Sequence, residues 1–144
     1  MIEVIVAALL AQSTPAPAAP APSQCNVLGQ AEANLPGCPR WQLVRNDEEG
    51  KGYMDPASAE RQGDAVHVNL RTVFNADFTG GTRTLDARVE FNCVRRTKMI
   101  LHLTAYSAAG GKLFDQDITT DPPVRPPAGS PFALVLDRLC PRGS

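Results

Sequence analysis

Two stretches of the sequence alternate apolar and polar residues with a period of two, and this pattern limits the fold more than any other feature. In the first stretch, Val66, Val68 and Leu70 fall on one side and His67 on the other. In the second, residues 85–93, the apolar positions end on a cysteine. Successive side chains of a β-strand point to opposite faces, so the pattern indicates strands with one buried face. We therefore predict long strands of an antiparallel sheet.

Four further segments carry weaker strand patterns, which brings the predicted sheet to about six strands. In one of them, Met99, Leu101 and Leu103 are expected to share the apolar face. A second is expected to end at Asp55–Ser58, because proline at its second position and the flanking Asp and Ser are typical of a turn. The four segments cover residues 41–45, 51–55, 99–105 and 113–119.

Near the C-terminus the apolar period changes to that of a helix. Ser130 is a favourable N-cap, Pro131 suits the first helical position, and Pro141 ends the segment. Such a short helix is marginal alone, so it must pack on the sheet. The predicted fold is α+β, a single antiparallel sheet of about six strands with a C-terminal α-helix on one face, tethered by a disulfide. The apolar stripe of this helix consists of Phe132, Val135, Leu136 and Leu139.

The four cysteines, an even number, are typical of a protein from an oxidising compartment. They include no Cys-x-x-Cys pair and no histidine at metal-ligand spacing, so neither a zinc site nor a cofactor is predicted. Three pairings are open. Proximity in the sequence favours Cys25–Cys38, which leaves Cys93–Cys140. Both Cys93 and Cys140 adjoin apolar faces, so their bridge would pin the helix to the sheet.

The N-terminal part indicates export. Residues 1–13 resemble the apolar region and cleavage site of a signal peptide, although no basic residue precedes them, so we expect the natural start to lie upstream. The apolar run is too short to span a bilayer. The alternative is a disordered or membrane-touching N-terminus of a cytosolic protein. The predicted organisation is a signal peptide at 1–13, a Pro/Ala-rich spacer with a small disulfide loop at 14–37, a folded domain at 38–140 and a tail at 141–144.

Charge and motifs favour a binding role over catalysis. The formal net charge is −1, which provides no overall field for nucleic acid or an anionic membrane. No nucleophile elbow, phosphate loop or metal motif occurs, so the protein is not predicted to be an enzyme. One basic cluster is a candidate surface for an acidic glycan or protein; the alternative is a charged turn that limits aggregation of its strands. The candidate residues are Arg71, Arg88, Arg95, Arg96 and Lys98.

A few other polar or aromatic side chains are weaker candidates for a site. His67 and His102 fall on the polar faces of their strands, where a single histidine is usually solvated or packed. Asp115 and Asp117 share one face of a weak strand and are expected to be solvated charges that discourage edge pairing. A pocket that gathered them with a histidine would instead favour an enzyme. Trp41 is expected to plug the core or a sheet edge rather than to bind a ligand.

One ordered series of residues extends over about Arg40–Cys140. The series is Trp41, Gly52-Tyr53-x-Asp55-Pro56-x-Ser58, Gly63-x-x-Val66-x-Val68, Glu90-Phe91-Asn92-Cys93, and Ser130-Pro131 before Cys140. It resembles the surface-adhesin protein E-like domain of Gram-negative bacteria. The resemblance implies an antiparallel sheet with a C-terminal helix tied across it by a disulfide, in an exported protein. The adhesin that names the family binds host proteins at the outer membrane, but no lipobox precedes Cys25 here.

We therefore expect an exported, non-catalytic binding module of the bacterial envelope, in the periplasm or at the cell surface, with a protein or acidic glycan as its partner. The alternative is a structural or assembly protein of the periplasm that uses the sheet edge or face. A nucleic-acid partner and a stable membrane span are not expected, and a dimer is compatible with the sequence.

The pairing of the two N-terminal cysteines is directly testable. Peptide mapping of the unreduced protein should recover Cys25 linked to Cys38, because these two lie closest in the sequence. A link from either of them to Cys93 or Cys140 would contradict the predicted pairing, and free thiols at both would remove that support for export.

Overall fold

A computed structural model of the protein describes residues 40–118 and 121–142. Six strands form one antiparallel sheet in the order β1-β2-β3-β4-β5-β6, so each strand pairs with its neighbours in the sequence. The predicted α+β fold is confirmed. The elements are β1 (Gln42–Asn46), β2 (Gly50–Gln62), β3 (Ala65–Phe78), a 3-10 turn (Thr79–Gly81), β4 (Thr82–Asn92), β5 (Thr97–Tyr106), β6 (Lys112–Asp117) and α1 (Pro131–Leu139).

The core lies between one face of the sheet and α1. Val68 of β3 lies opposite Val89 of β4. Both side chains, and that of Phe91, are fully buried, as the alternation predicts. From the helix, Val135 and Leu136 are buried in the same cluster. Removal of these apolar side chains from water is the main favourable contribution to the fold. We call this side of the sheet the core face and the other side the open face.

The ends of α1 are fixed as the sequence indicates. The Ser130 hydroxyl accepts a hydrogen bond from the amide of Ala133 at 3.2 Å, and Pro131 occupies the first turn. At the other end, Cys140 forms a disulfide with Cys93, with 5.3 Å between their α-carbons. This pairing is confirmed, whereas Cys25 and Cys38 lie outside the described residues.

The predicted turn at Asp55–Ser58 is wrong, because this segment is an irregularity inside the longer strand β2. Pairing with β3 shifts register between Asp55 and Glu60. The Ser58 hydroxyl donates to the Asp55 carbonyl at 2.7 Å and accepts from the Asn69 amide at 2.8 Å. These bonds replace part of the ladder, to which a proline cannot donate. The strand therefore continues past the proline.

The predicted apolar face of β5 is partly wrong. Arg88 pairs with His102, but the next residue of β4, Val89, pairs with Ile100, so Leu101 is an extra residue in β5. This bulge reverses the alternation. Ile100 consequently packs against the core, and Met99 lies opposite Glu90.

The sheet edge and the loop before α1 complete the described chain. All six residues of β6 are exposed. The loop is held against β5 by two backbone hydrogen bonds between Lys98 and Val124, of 2.8 and 3.0 Å. The nine residues of α1 are too few for a membrane span, and no other helix of residues 40–118 and 121–142 has the length and apolar character to cross a bilayer.

Replacing Cys140 by Ser should destabilise the protein by about 4 kcal/mol, the entropy of closing a loop of this length in the unfolded chain. The bridged residues are 47 positions apart. Because the bridge holds α1, its amides should exchange with solvent before those of β3 and β4. Denaturant unfolding and hydrogen exchange measure both effects.

A Cys25→Ser variant is the matched control, and it should cost less because its predicted loop is shorter. Unchanged protection of the α1 amides in the Cys140→Ser protein would contradict the tethering role of the bridge.

Candidate functional site

A groove of about 660 Å³ opens between α1, the β4–β5 turn and the loop that precedes α1. Its charged lining consists of four arginines and one aspartate, so positive charge exceeds negative charge by three. The remaining lining residues are aliphatic, proline or glycine, together with Cys93 of the disulfide. We call this the arginine groove; its charged residues are Arg95, Arg96, Arg125, Arg142 and Asp137.

The β4–β5 turn places two of these arginines and is held by Asn92. The side-chain oxygen of Asn92 accepts from the amides of Val94 at 3.0 Å and Arg95 at 2.8 Å, an arrangement that fixes the turn locally. Arg96 has φ 58° and is the sole non-glycine residue of the described ranges with positive φ. A long side chain in this region is strained and persists where surrounding contacts hold it.

Arg96 ties the turn to the end of the helix. Its guanidinium donates to the carbonyl of Cys140 at 2.5 Å and to the carboxylate of Asp137. Carbonyls at a helix C-terminus lack intrahelical partners, and a cation there is favourable. Arg61 acts in the same way, donating to the Leu139 carbonyl at 2.9 Å. Arg96 and Arg61 therefore fix the wall of the groove.

Two other arginines of the groove remain available for a ligand. Arg95 and Arg125 are exposed, and in the described part of the chain neither guanidinium makes a hydrogen bond or an ion pair. Arg142 makes one long ion pair, in which its Nε lies 3.9 Å from a carboxylate oxygen of Asp137. A guanidinium stays protonated and presents its donors in a planar fork that matches carboxylate, sulfate or phosphate. The groove is thus suited to bind anions.

Apolar side chains lie beside these charges. Val94 is 69% exposed and Leu134 is 37% exposed, and both line the groove. A ligand that covers them gains from removing their surface from water.

The predicted basic surface is not one surface. On the open face, Arg71 donates to both carboxylate oxygens of Asp86, at 2.6 and 2.7 Å, and its guanidinium carbon lies 4.5 Å from the Trp41 ring centre. Arg88 donates to the Ser58 carbonyl at 2.9 Å. These partners hold both arginines within the sheet. Trp41 lies over the open face, where it lines a cavity with Asn69 and Arg88, and not in the core or at a sheet edge as expected.

Lys98 is also separated from the predicted cluster. It pairs with Phe91 on the core face, and its ammonium lies 4.2 Å from the Phe132 ring centre. Burial lowers the pKa of Lys98 from its ordinary value, and the charge of Asp121 partly opposes this. Of the five predicted residues, the structure brings Arg95 and Arg96 into one site. Arg125 and Arg142 were missed, because no local pattern connects them to the β4–β5 turn.

A second charged cluster joins β5 to β6. Nδ1 of His102 lies 2.6 Å from the carboxylate of Asp117, and Nε2 contacts Asp115. Asp115 also accepts from Thr104 and Lys112, each at 3.1 Å. The two aspartates meet a histidine, as the enzyme alternative requires, but they lie exposed on β6, and the cavity beside His102 is lined without them. Both ring nitrogens are occupied, and residues 40–118 and 121–142 contain no His, Cys, Asp and Glu group suited to a metal. The cluster clamps β6 to the sheet.

Comparison with known proteins identifies the family. The family model for Surface-adhesin protein E matches residues 41–141. The chain belongs to the surface-adhesin protein E family. This membership confirms the resemblance read from the ordered residues, and it covers every element of the fold. Together with the Cys93–Cys140 disulfide, it supports an exported protein with an adhesin-like binding role.

Other comparisons are more distant. No curated protein sequence matches the chain significantly. The solved structure of protein E from non-typeable Haemophilus influenzae is similar with a TM-score of 0.46 and 11% identity, over 68% of this chain and 74% of that chain. Likeness at this level transfers no residue role.

The His102 cluster should give the protein a pH-dependent step in stability. Hydrogen bonds to Asp117 and then Asp115 raise the pKa of His102, so its contribution is full below about pH 6.5 and is lost as pH rises through the raised pKa. Bonds from Lys112 and then His102 lower the pKa of Asp115 to about 2, so its contribution is lost as pH falls toward that value.

An NMR titration of His102 should therefore give a pKa above the ordinary value, and Asp117→Asn should lower it. Glu48→Gln, an exposed change near the opposite sheet edge, is the control and should leave the titration unchanged. An ordinary pKa for His102 in the unmodified protein would contradict the clamp.

Proposed function

We propose that the protein is an exported, non-catalytic binding module of the bacterial envelope, which holds an anionic partner in the arginine groove. The observation that carries this proposal is a pair of guanidiniums, Arg95 and Arg125, that have no partner among residues 40–118 and 121–142, in a groove with four arginines and one carboxylate. Anion binding at such a site is favourable because no partner from these residues has to be displaced from either guanidinium.

The chemistry of the groove supports binding over catalysis. Arginine does not exchange protons near neutral pH, and the one carboxylate, Asp137, is paired with Arg96. The described lining supplies no hydroxyl or imidazole, and the sulfur of Cys93 is in a disulfide. General acid–base and nucleophilic mechanisms need such groups within reach of a substrate.

In this function, separate parts of the chain serve export, spacing and binding. Residues 1–13 direct export, 14–37 form a spacer with the Cys25–Cys38 loop, and 38–140 form the binding domain. The spacer, rich in proline and alanine, holds the groove away from the envelope. We place the domain at the cell surface, where an adhesin meets its partner, in keeping with the family.

Charge reversal in the groove tests this function. Beads coated with the domain should adhere to cultured host cells, and Arg95→Glu/Arg125→Glu should remove most of that adhesion. Dextran sulfate, a simple polyanion, should bind the double variant at least about tenfold more weakly than it binds the unmodified domain. Added salt should weaken the binding of dextran sulfate to the unmodified domain.

Arg40→Glu/Lys51→Glu is the matched control, since it changes the net charge equally at exposed positions outside the groove. Equal losses in both double variants would show a general charge effect. Adhesion that survives the groove variant would refute the proposal.

A further inference from the structure

We propose that the arginine groove binds an extended acidic and aliphatic segment of a partner protein. This inference rests on the function proposed above and specifies the chemical class of its anionic partner. It follows from what lines the groove besides the arginines, and from where the free guanidiniums lie.

The two available guanidiniums lie on different walls of the groove. Arg95 belongs to the β4–β5 turn and Arg125 to the loop before α1, which is fixed to β5 through Val124. The ligand that this arrangement favours carries separated anionic groups along its length, one for each wall. Glutamate or aspartate side chains along an extended peptide satisfy this, and each carboxylate can accept two parallel bonds from one guanidinium.

The uncharged lining favours a peptide over a glycan. Among the described residues that line the groove there is no side-chain amide, no hydroxyl and no aromatic ring. A sugar would find arginine donors for its hydroxyls but no ring on which to stack, and the aliphatic lining would gain little from contact with a polar sugar. A sulfated glycan would thus meet the arginines but little else.

The exposed aliphatic side chains select a protein segment with apolar residues between its acidic ones. Val94 follows the disulfide in the β4–β5 turn and Leu134 belongs to α1, and both line the same groove as the arginines. Leucine or valine side chains of a peptide would cover them.

Several contacts hold the walls of the groove in place before any ligand binds. Asn92 fixes the turn, Arg96 joins the turn to the end of α1, and the disulfide closes the same junction. A preformed site spends little of its binding free energy on ordering itself. A flexible segment of a partner protein can therefore adapt to it.

The probes are a short synthetic peptide of glutamates interrupted by leucine and valine, the same peptide with glutamine for glutamate, and one with serine for leucine and valine. The first should bind the full domain at least about tenfold more tightly than either control peptide. NMR shifts should occur at Val94, Arg95 and Leu134.

Val94→Ser/Leu134→Ser should weaken the peptide severalfold and leave dextran sulfate binding unchanged. Leu43→Ser, on an exposed leucine of β1, is the matched control and should weaken neither. Retained α1 protection in each variant confirms that it is folded.

Heparin oligosaccharides and phosphatidylglycerol vesicles serve as the competing classes. If either binds through Arg95 and Arg125 and the acidic–aliphatic peptide does not, this inference is wrong while the proposed function stands. If no anionic probe responds to charge reversal of the groove, the proposed function fails as well.

Discussion

The structure depends on the docking of α1 against the core face of the sheet. The helix has nine residues and would not persist alone, so its order comes from burial of Val135 and Leu136 and from the covalent link of Cys140 to Cys93. The same junction creates the arginine groove, since one wall is the helix and the other is the turn that follows Cys93. Fold and binding site therefore share one constraint.

The arginines divide into those that hold the fold and those left for a partner. Arg61 and Arg96 donate to carbonyls at the end of α1, and Arg71 pairs with Asp86 within the sheet. The guanidiniums of Arg95 and Arg125 make no hydrogen bond or ion pair with the described residues. The net charge of the protein is near zero, yet the arginine groove carries a local excess of positive charge. The excess arises because Arg95 and Arg125 are not paired with acidic side chains of the described residues.

The sheet, the helix and the disulfide between them could be predicted from the sequence. The strands and the helix follow from the local spacing of apolar residues, and the disulfide follows from cysteines beside two apolar faces. It failed where one residue changes the register, as at Leu101, and where a strand continues past a proline, as at Pro56. Of the four arginines in the groove, two were among the predicted residues. Arg95 and Arg96 stand together in the chain, but Arg125 reaches them through the docking of α1 and its loop. The bulge at Leu101 places Lys98 on the core face, away from Arg71, and strand alternation without that bulge misses this separation.

The central claim is that helix docking builds the binding groove. The most direct test is an NMR titration of the Cys93→Ala/Cys140→Ala protein with dextran sulfate, beside the same titration of the unmodified protein. We predict that amides of β3 and β4 remain protected, that α1 loses protection, and that the polyanion binds at least about tenfold more weakly. Undiminished binding by a protein whose α1 is released would contradict the account.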